Sequence, residues 1–220
     1  RGKMLMSIKQ ALLNVGGLSE PSKMPTFGTS IPADKCGVGG KLRKVKGSIC
    51  FKCYALKGRY VFRNVQDALY RRLDALNNPL WIESMSFLMN NKKLNGKTGL
   101  DFFRWHDSGD IQNTRHLHMI VEVAKKSPNT KHWLPTRETK IVTEAIKKGL
   151  VIPENLTIRL SAMSFDKQAP ENTAKKFGLQ VSGASTKDAG NCLAPKQKGN
   201  CLDCRKCWDK KEFNIIYKAH

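Results

Sequence analysis

No apolar run in the 220 residues approaches the length needed to cross a bilayer. The first residues, Arg1-Gly2-Lys3-Met4-Leu5-Met6-Ser7-Ile8, lack the apolar core of a signal peptide. A membrane protein is therefore not expected, nothing argues for export, and a cytoplasmic location follows. Acid is scarce: 18 Asp and Glu stand against 39 Lys and Arg, a net charge of +21 spread along the whole length. Such a field favours polyanions, nucleic acid first among them, yet no helix-turn-helix, zinc-finger or RNA-recognition signature accompanies it. Internal repeats and low-complexity tracts are absent, and a hydrophobic content of 40% argues against wholesale disorder. Nor is there an even set of cysteines. Seven cannot all pair, and their tight grouping reads as metal ligation in a reducing compartment rather than as a disulfide framework.

The regular part is the middle. Val61, Val65, Leu69, Leu73 and Leu76 recur at helical spacing and predict an amphipathic helix over Arg59 to Leu76. Pro79 opens a second helix, to about Asn91. Strands are expected at Leu100 to Trp105, Lys131 to Leu134, Asn155 to Leu160 and Gly178 to Ser182, with helices at Thr114 to Lys126 and Thr139 to Lys148. Ahead of these lie a short helix from Met6 to Leu13 and a strand near Met24 to Ile31. Strands alternating with helices predict an α/β fold with a parallel sheet. The length suits a partial (βα) barrel of about five to six units over residues 1–190, with a Cys-rich metal-binding extension at 191–220. Polar clusters close the strands: His106-Asp107-Ser108-Gly109-Asp110, Thr136-Arg137-Glu138, Ser161-Ala162-Met163-Ser164 and Ser182-Gly183-Ala184-Ser185. The C-terminal ends of barrel strands form the active face, so this rim is the candidate binding site. Trp105 and Trp133 read as core.

Cys36, then thirteen residues, then Cys50-Phe51-Lys52-Cys53 form the first thiol group, in a Gly- and Lys-rich loop at 36–58. Three thiolates and one open position suit a [4Fe-4S] cluster with an exposed iron, or a catalytic zinc. Gly37, Gly39, Gly40 and Gly47 let backbone N–H groups approach sulphur, and Lys41, Arg43, Lys44 and Lys46 offset negative charge. Cys192, Cys201, Cys204 and Cys207 form the second group, spaced C-x8-C-x2-C-x2-C. Its C-x2-C-x2-C run resembles bacterial ferredoxin spacing and favours a second [4Fe-4S] cluster, with structural zinc as the alternative. One or two clusters imply an electron donor as a partner.

Cys36 and Cys50-x-x-Cys53-Tyr54 after the first strand, and Ser108-Gly109-Asp110 after the second, resemble the layout of the radical S-adenosylmethionine (SAM) superfamily. In that superfamily three cysteines hold a [4Fe-4S] cluster, and a Gly-Gly-Glu-like motif ending strand two contacts the SAM amino group. Strands four and five add polar contacts. The resemblance implies a radical SAM-like enzyme in which Ser108, Gly109 and Asp110, with Asp107, serve the SAM amine. Ser161, Ser164, Gly183 and Ser185 would line SAM, and Arg137 would pair with its carboxylate. The cysteine spacing differs from the usual three-residue gap, Tyr54 follows rather than precedes the third cysteine, and Ser-Gly-Asp replaces Gly-Gly-Glu. The strings Cys53 to Tyr60, Phe103 to Asp110, Trp133 to Glu138, Ile158 to Ala162 and Cys204 to Trp208 are also similar to a family of tailed-phage proteins, over about residues 30–210. A phage origin would place the chain in the host cytoplasm. Without SAM, the chain would be a non-catalytic iron–sulphur protein, or a zinc-stabilised basic protein that binds nucleic acid.

Overall fold

The computed structural model describes residues 6–91, 101–187 and 190–219. Six strands form one all-parallel sheet: β1 (Gly28–Thr29), β2 (Phe102–Trp105), β3 (Lys131–Thr136), β4 (Leu156–Ser161), β5 (Gln180–Ser185) and β6 (Asn214–Lys218). Their order in the sheet is their order in the chain, β1 to β6 without reversal. Crossovers of one hand that always move the same way put the helices on one face and curl the sheet toward a barrel. The architecture is thus the expected α/β, partial-barrel type. No helix among the described residues is long and apolar enough to cross a membrane.

The two sheet faces differ sharply in chemistry. Phe103, Trp105, Leu134, Leu156, Ile158, Leu160 and Val181 join one apolar core with helices α1 (Ile8–Val15), α4 (Trp81–Asn90), α5 (Thr114–Lys126), α6 (Thr139–Lys147) and α7 (Glu171–Phe177). Their alternates in the strand period of two are Arg104, Trp133, Thr157, Arg159, Ser161, Ser182 and Tyr217, a polar and aromatic face that no helix of this layer covers. Behind the core, His132 accepts from Trp105 Nε1 at Nδ1 (3.2 Å), and its Nε2 lies 3.0 Å from Ser127 Oγ. The Ser127 hydroxyl donates onward to the Val123 carbonyl at 2.6 Å. Trp105 is core, as expected. Trp133 is buried too, but on the opposite face.

Several boundaries shift for local reasons. The first strand shrinks from Met24–Ile31 to two residues: Gly28 pairs with Arg104 on one edge and bridges Ser19 on the other, and the Ile31 N–H is taken by the Ser108 carbonyl. The helix expected from Arg59 starts at Arg63, as α3 (Arg63–Ala75). Gly58, at φ +56°, opens a separate 3-10 turn over Gly58–Val61. The helix after Pro79 starts at Trp81, because Asn78 Oδ1 first caps the Leu80 N–H in a turn. Leu100, in the expected second strand, lies outside the described residues. Helix α7 was not among the expected elements. It buries only Ala174, too little to print a period. The end of the expected extension does not stand apart, since β6 pairs in parallel with β5 along its whole length.

Candidate metal centre

The loop after β1 arches over the C-terminal ends of the strands and is fastened there at two points. Val38 N–H, at the start of the short helix α2 (Val38–Leu42), donates to Glu138 Oε1 at 2.7 Å, just past β3. Ser48 bridges Ser164, and Ile49 N–H donates to the Met163 carbonyl at 3.0 Å, just past β4. These anchors draw Cys36, Cys50 and Cys53 into one neighbourhood, where Cys36 feels the charge of both other thiols. Gly39 keeps the space between two of them open. A Cβ there would stand 3.2 Å from Cys36 Cβ and 3.5 Å from Cys50 Sγ.

Burial pushes the Cys36 thiol up to about 12, helped by the Asp110 carboxylate and the two neighbouring thiols, with Arg43 opposing. Burial raises Cys50 as well, and there Arg137 is the main opposing charge. Dry thiols of this kind become thiolates only when a cation takes the proton's place.

The rim residues fall into two sets. Ser108, Gly109 and Asp110 form a rigid corner. Ser108 Oγ donates to the Ile31 carbonyl at 3.0 Å, and Gly109 sits at φ +82° with Ile31 Cγ1 occupying the space that a Cβ would need. Asp110 is buried, and burial raises its carboxyl to about 6. Its Oδ1 accepts from Ile111 N–H (2.8 Å) and Thr136 Oγ1 (2.6 Å), and its Oδ2 accepts from Arg137 N–H (2.9 Å). Asp110 therefore staples the end of β2 to the end of β3, while Asn113 caps α5. Asp107 is engaged by Ser19 Oγ (3.2 Å) and Tyr60 Oη (2.8 Å), and its carbonyl accepts from Tyr54 Oη. Across the rim, Arg137 Nε donates to the Ala162 carbonyl at 3.1 Å. Ser161 and Ser182 hydroxyls pair at 3.1 Å, Ser185 Oγ donates to Asp166 (2.7 Å), and the Cβ side of Gly183 faces open space.

The second thiol group spans the gap between the last strand and the first. Cys192 N–H donates to the Ile216 carbonyl of β6 (3.1 Å), and Cys201 N–H to the Lys23 carbonyl ahead of β1 (3.1 Å). Trp208 then plugs the uncovered sheet face. Its ring packs on Phe102 and Trp133, with centroids at 5.5 and 5.2 Å, and its Nε1 donates to the Phe103 carbonyl at 2.9 Å. Arg159 holds the segment from below. This fully buried guanidinium donates to the carbonyls of Cys207, Lys206, Asp209 and Glu212 at 2.7–3.0 Å. The thiols are linked through Cys192: Cys201 feels Cys192 and Cys204, and Cys207 feels Cys192. Burial pushes Cys207 up to about 11 against the Tyr217 hydroxyl, 3.4 Å from its sulphur, and against Arg159 and Arg104.

All seven cysteines are free thiols. Among the described residues, no group of three or more His, Cys, Asp and Glu side chains stands close enough to hold a single metal ion. The donor set itself, three thiols and four thiols with arginines beside each group, fits an iron–sulphur cluster in chemistry.

A family model described as gene product 88 matches residues 6–210. The chain belongs to the gene product 88 family. No curated protein and no solved structure matches it. The match takes in both thiol groups and the rim residues, among them Ser108, Gly109, Asp110, Arg137, Ser161 and Gly183.

Arg159, Tyr60 and Tyr217 were not foreseen as parts of this region, and Glu138, expected on the rim, was not foreseen as the anchor of the thiol loop. Of the three, only Arg159 left a trace in the sequence: a guanidinium in the mostly apolar strand Leu156-Thr157-Ile158-Arg159-Leu160 must be paired if it is buried.

Proposed function

We propose that this member of the gene product 88 family is an iron–sulphur protein with a radical-SAM-like layout. Cys36, Cys50 and Cys53 hold a [4Fe-4S] cluster with one iron open to SAM, and Cys192, Cys201, Cys204 and Cys207 hold a second metal centre. The observation that carries the reading is the fastening of the three-thiol loop, through Glu138 and Ser164, over the C-terminal ends of a parallel, singly wound sheet. That is the end where such folds do their chemistry. Bound there, a cluster supplies one electron and one open coordination position.

The chain's own residues divide the remaining work. Arg137, the main cation acting on Cys50, offers the charge for a carboxylate. Asp110 positions Arg137 through its backbone N–H. Gly183 leaves room on the far side of the mouth. Glu138 ties the start of α2 down beside Cys36. Arg159 fixes the backbone that presents Cys207.

Anaerobic purification followed by iron and sulphide analysis tests the reading. The protein should be brown, with visible absorbance that bleaches on reduction. A Cys36→Ala/Cys50→Ala/Cys53→Ala variant should lose about four irons per chain. SAM should change the paramagnetic signal of the reduced cluster, and dithionite should then release 5′-deoxyadenosine. Colourless protein holding zinc and no sulphide after reconstitution overturns the proposal. A brown protein whose signal is indifferent to SAM retains the clusters and removes the SAM chemistry.

A further inference from the structure

We infer that the outer surface of the three-thiol loop is a docking site for single-stranded nucleic acid. This deepens the proposed function by naming a substrate class for the mouth, and it stands on surface chemistry that does not involve a metal.

Between Cys36 and Gln66 there are eight Lys and Arg residues and no Asp or Glu. Lys41, Lys44, Lys46, Lys52, Lys57, Arg59 and Arg63 are exposed, and among the described residues none of them pairs with a carboxylate. Large rings stand out of the same surface. Phe51 is 42% exposed and Phe62 58% exposed, and Val45 and Val61 are exposed beside them. Tyr54 adds the outer side of its ring, with its hydroxyl tied inward to the Asp107 carbonyl and its edge against Tyr60 at 5.7 Å. Aromatic side chains in water need a reason, and unpaired cations gathered around them point to an anionic partner that also has flat apolar faces.

A single strand of nucleic acid has both features. Its phosphates meet the cations, and its unpaired bases stack on the rings. A duplex hides its base faces and would use only the charge. An anionic bilayer would be met by a helix with one apolar and one basic side. Here rings and cations alternate along the chain instead: Phe51-Lys52, Arg59-Tyr60 and Phe62-Arg63. The surface also borders the mouth, because Phe51 lies between Cys50 and Cys53, so a docked strand would bring a base to the thiol group.

Fluorescence anisotropy with labelled 20-nucleotide oligo-dT, oligo-U, a DNA hairpin of equal length, and phosphatidylserine vesicles tests this on the full chain. Single strands should bind more tightly than the hairpin and should weaken steeply as salt rises. The oligo-dT and oligo-U arms decide which sugar is preferred. Phe51→Leu/Phe62→Leu keeps apolar bulk and removes the stacking faces. It should weaken single-strand binding by about tenfold per ring and leave the salt dependence unchanged. Lys44→Ala/Lys52→Ala/Arg63→Ala should flatten that salt dependence instead. Equal or tighter binding of the hairpin, full single-strand affinity in a folded phenylalanine double variant, or binding to vesicles alone would each overturn the inference. Iron is measured on the same samples. Brown protein that ignores oligonucleotides defeats only this inference, and colourless protein that binds them defeats only the iron–sulphur reading.

Discussion

Arg159 Nε donates to the carbonyl oxygen of Cys207 at 3.0 Å, so a strand in the middle of the sheet positions the backbone of a cysteine 48 residues further along the chain. The same guanidinium reaches the carbonyls of Lys206, Asp209 and Glu212. Arg159→Met should leave these buried oxygens unpaired and destabilise the fold by about 3 kcal/mol or more. Arg159→Lys should rescue little, because an ammonium cannot reproduce the planar fork. Urea denaturation checks the first expectation, and metal content after purification checks the loss of the second thiol group.

Cys36 should be the slow thiol in metal-free protein. With its pKa at about 12, the reactive thiolate is scarce at neutral pH, and its alkylation should keep accelerating well above pH 9. Mass spectrometry of iodoacetamide-treated protein across pH 7–10 reads this directly. An early plateau at Cys36 would contradict the burial argument.

Tyr217 should tune the second centre. Its hydroxyl lies 3.4 Å from Cys207 Sγ, and burial, with Cys207 next in effect, holds its pKa well above the ordinary phenol value, so in the proposed centre, with Cys207 as a thiolate, the hydroxyl would be the donor. Such a bond favours the more negative, reduced state. Tyr217→Phe should lower the potential of that centre by about 60 mV, the equivalent of about 1.4 kcal/mol for one electron. Redox titration of a variant that also lacks the three N-terminal thiols isolates the effect.

Acid should undermine the core through His132. Burial lowers its pKa to about 3, and its Nδ1 already accepts from Trp105, so a second ring proton has no place to go. The unfolded chain takes up that proton near pH 6.5. Stability from the neutral ring is therefore complete above pH 6.5 and is lost as pH falls toward 3, up to about 5 kcal/mol in total. Asp110 acts in the opposite sense: its carboxyl is raised to about 6, so it disfavours the fold above pH 6 and relents as pH falls toward 4. His132→Gln should reduce the loss of stability between pH 6.5 and 4, as read from denaturation curves of the variant and the parent protein, with His106 and His116, buried and lowered too, keeping the remainder.

The helix at Thr114–Lys126 and the strands around 131, 156 and 180 were legible because each prints its own period and meets its neighbours in chain order. The two groupings of cysteines stand out from their spacing, but among the described residues no three thiols close on one metal position. The braces were not legible. Glu138 caps a helix a hundred positions away, and Tyr217 finds Cys207 only once β6 is docked. Such contacts depend on three-dimensional closure and leave no local pattern. Asp110 carried the opposite lesson. Its rim position suggested a ligand contact, and nothing local showed that its oxygens also bind two strands' ends together.

The distance along the chain from Val38 to Glu138 also sets a clock. A ribosome adding roughly 5–20 residues per second needs about 5–20 s to deliver the second after the first. For most of that interval Cys36, Cys50 and Cys53 have all been made, and Glu138 is not yet there to anchor the loop that carries them. Whichever metal or oxidant reaches the nascent chain first has several seconds' start on the finished fold. If the proposed cluster forms, expression temperature and iron supply during synthesis should matter more to its loading than conditions after lysis.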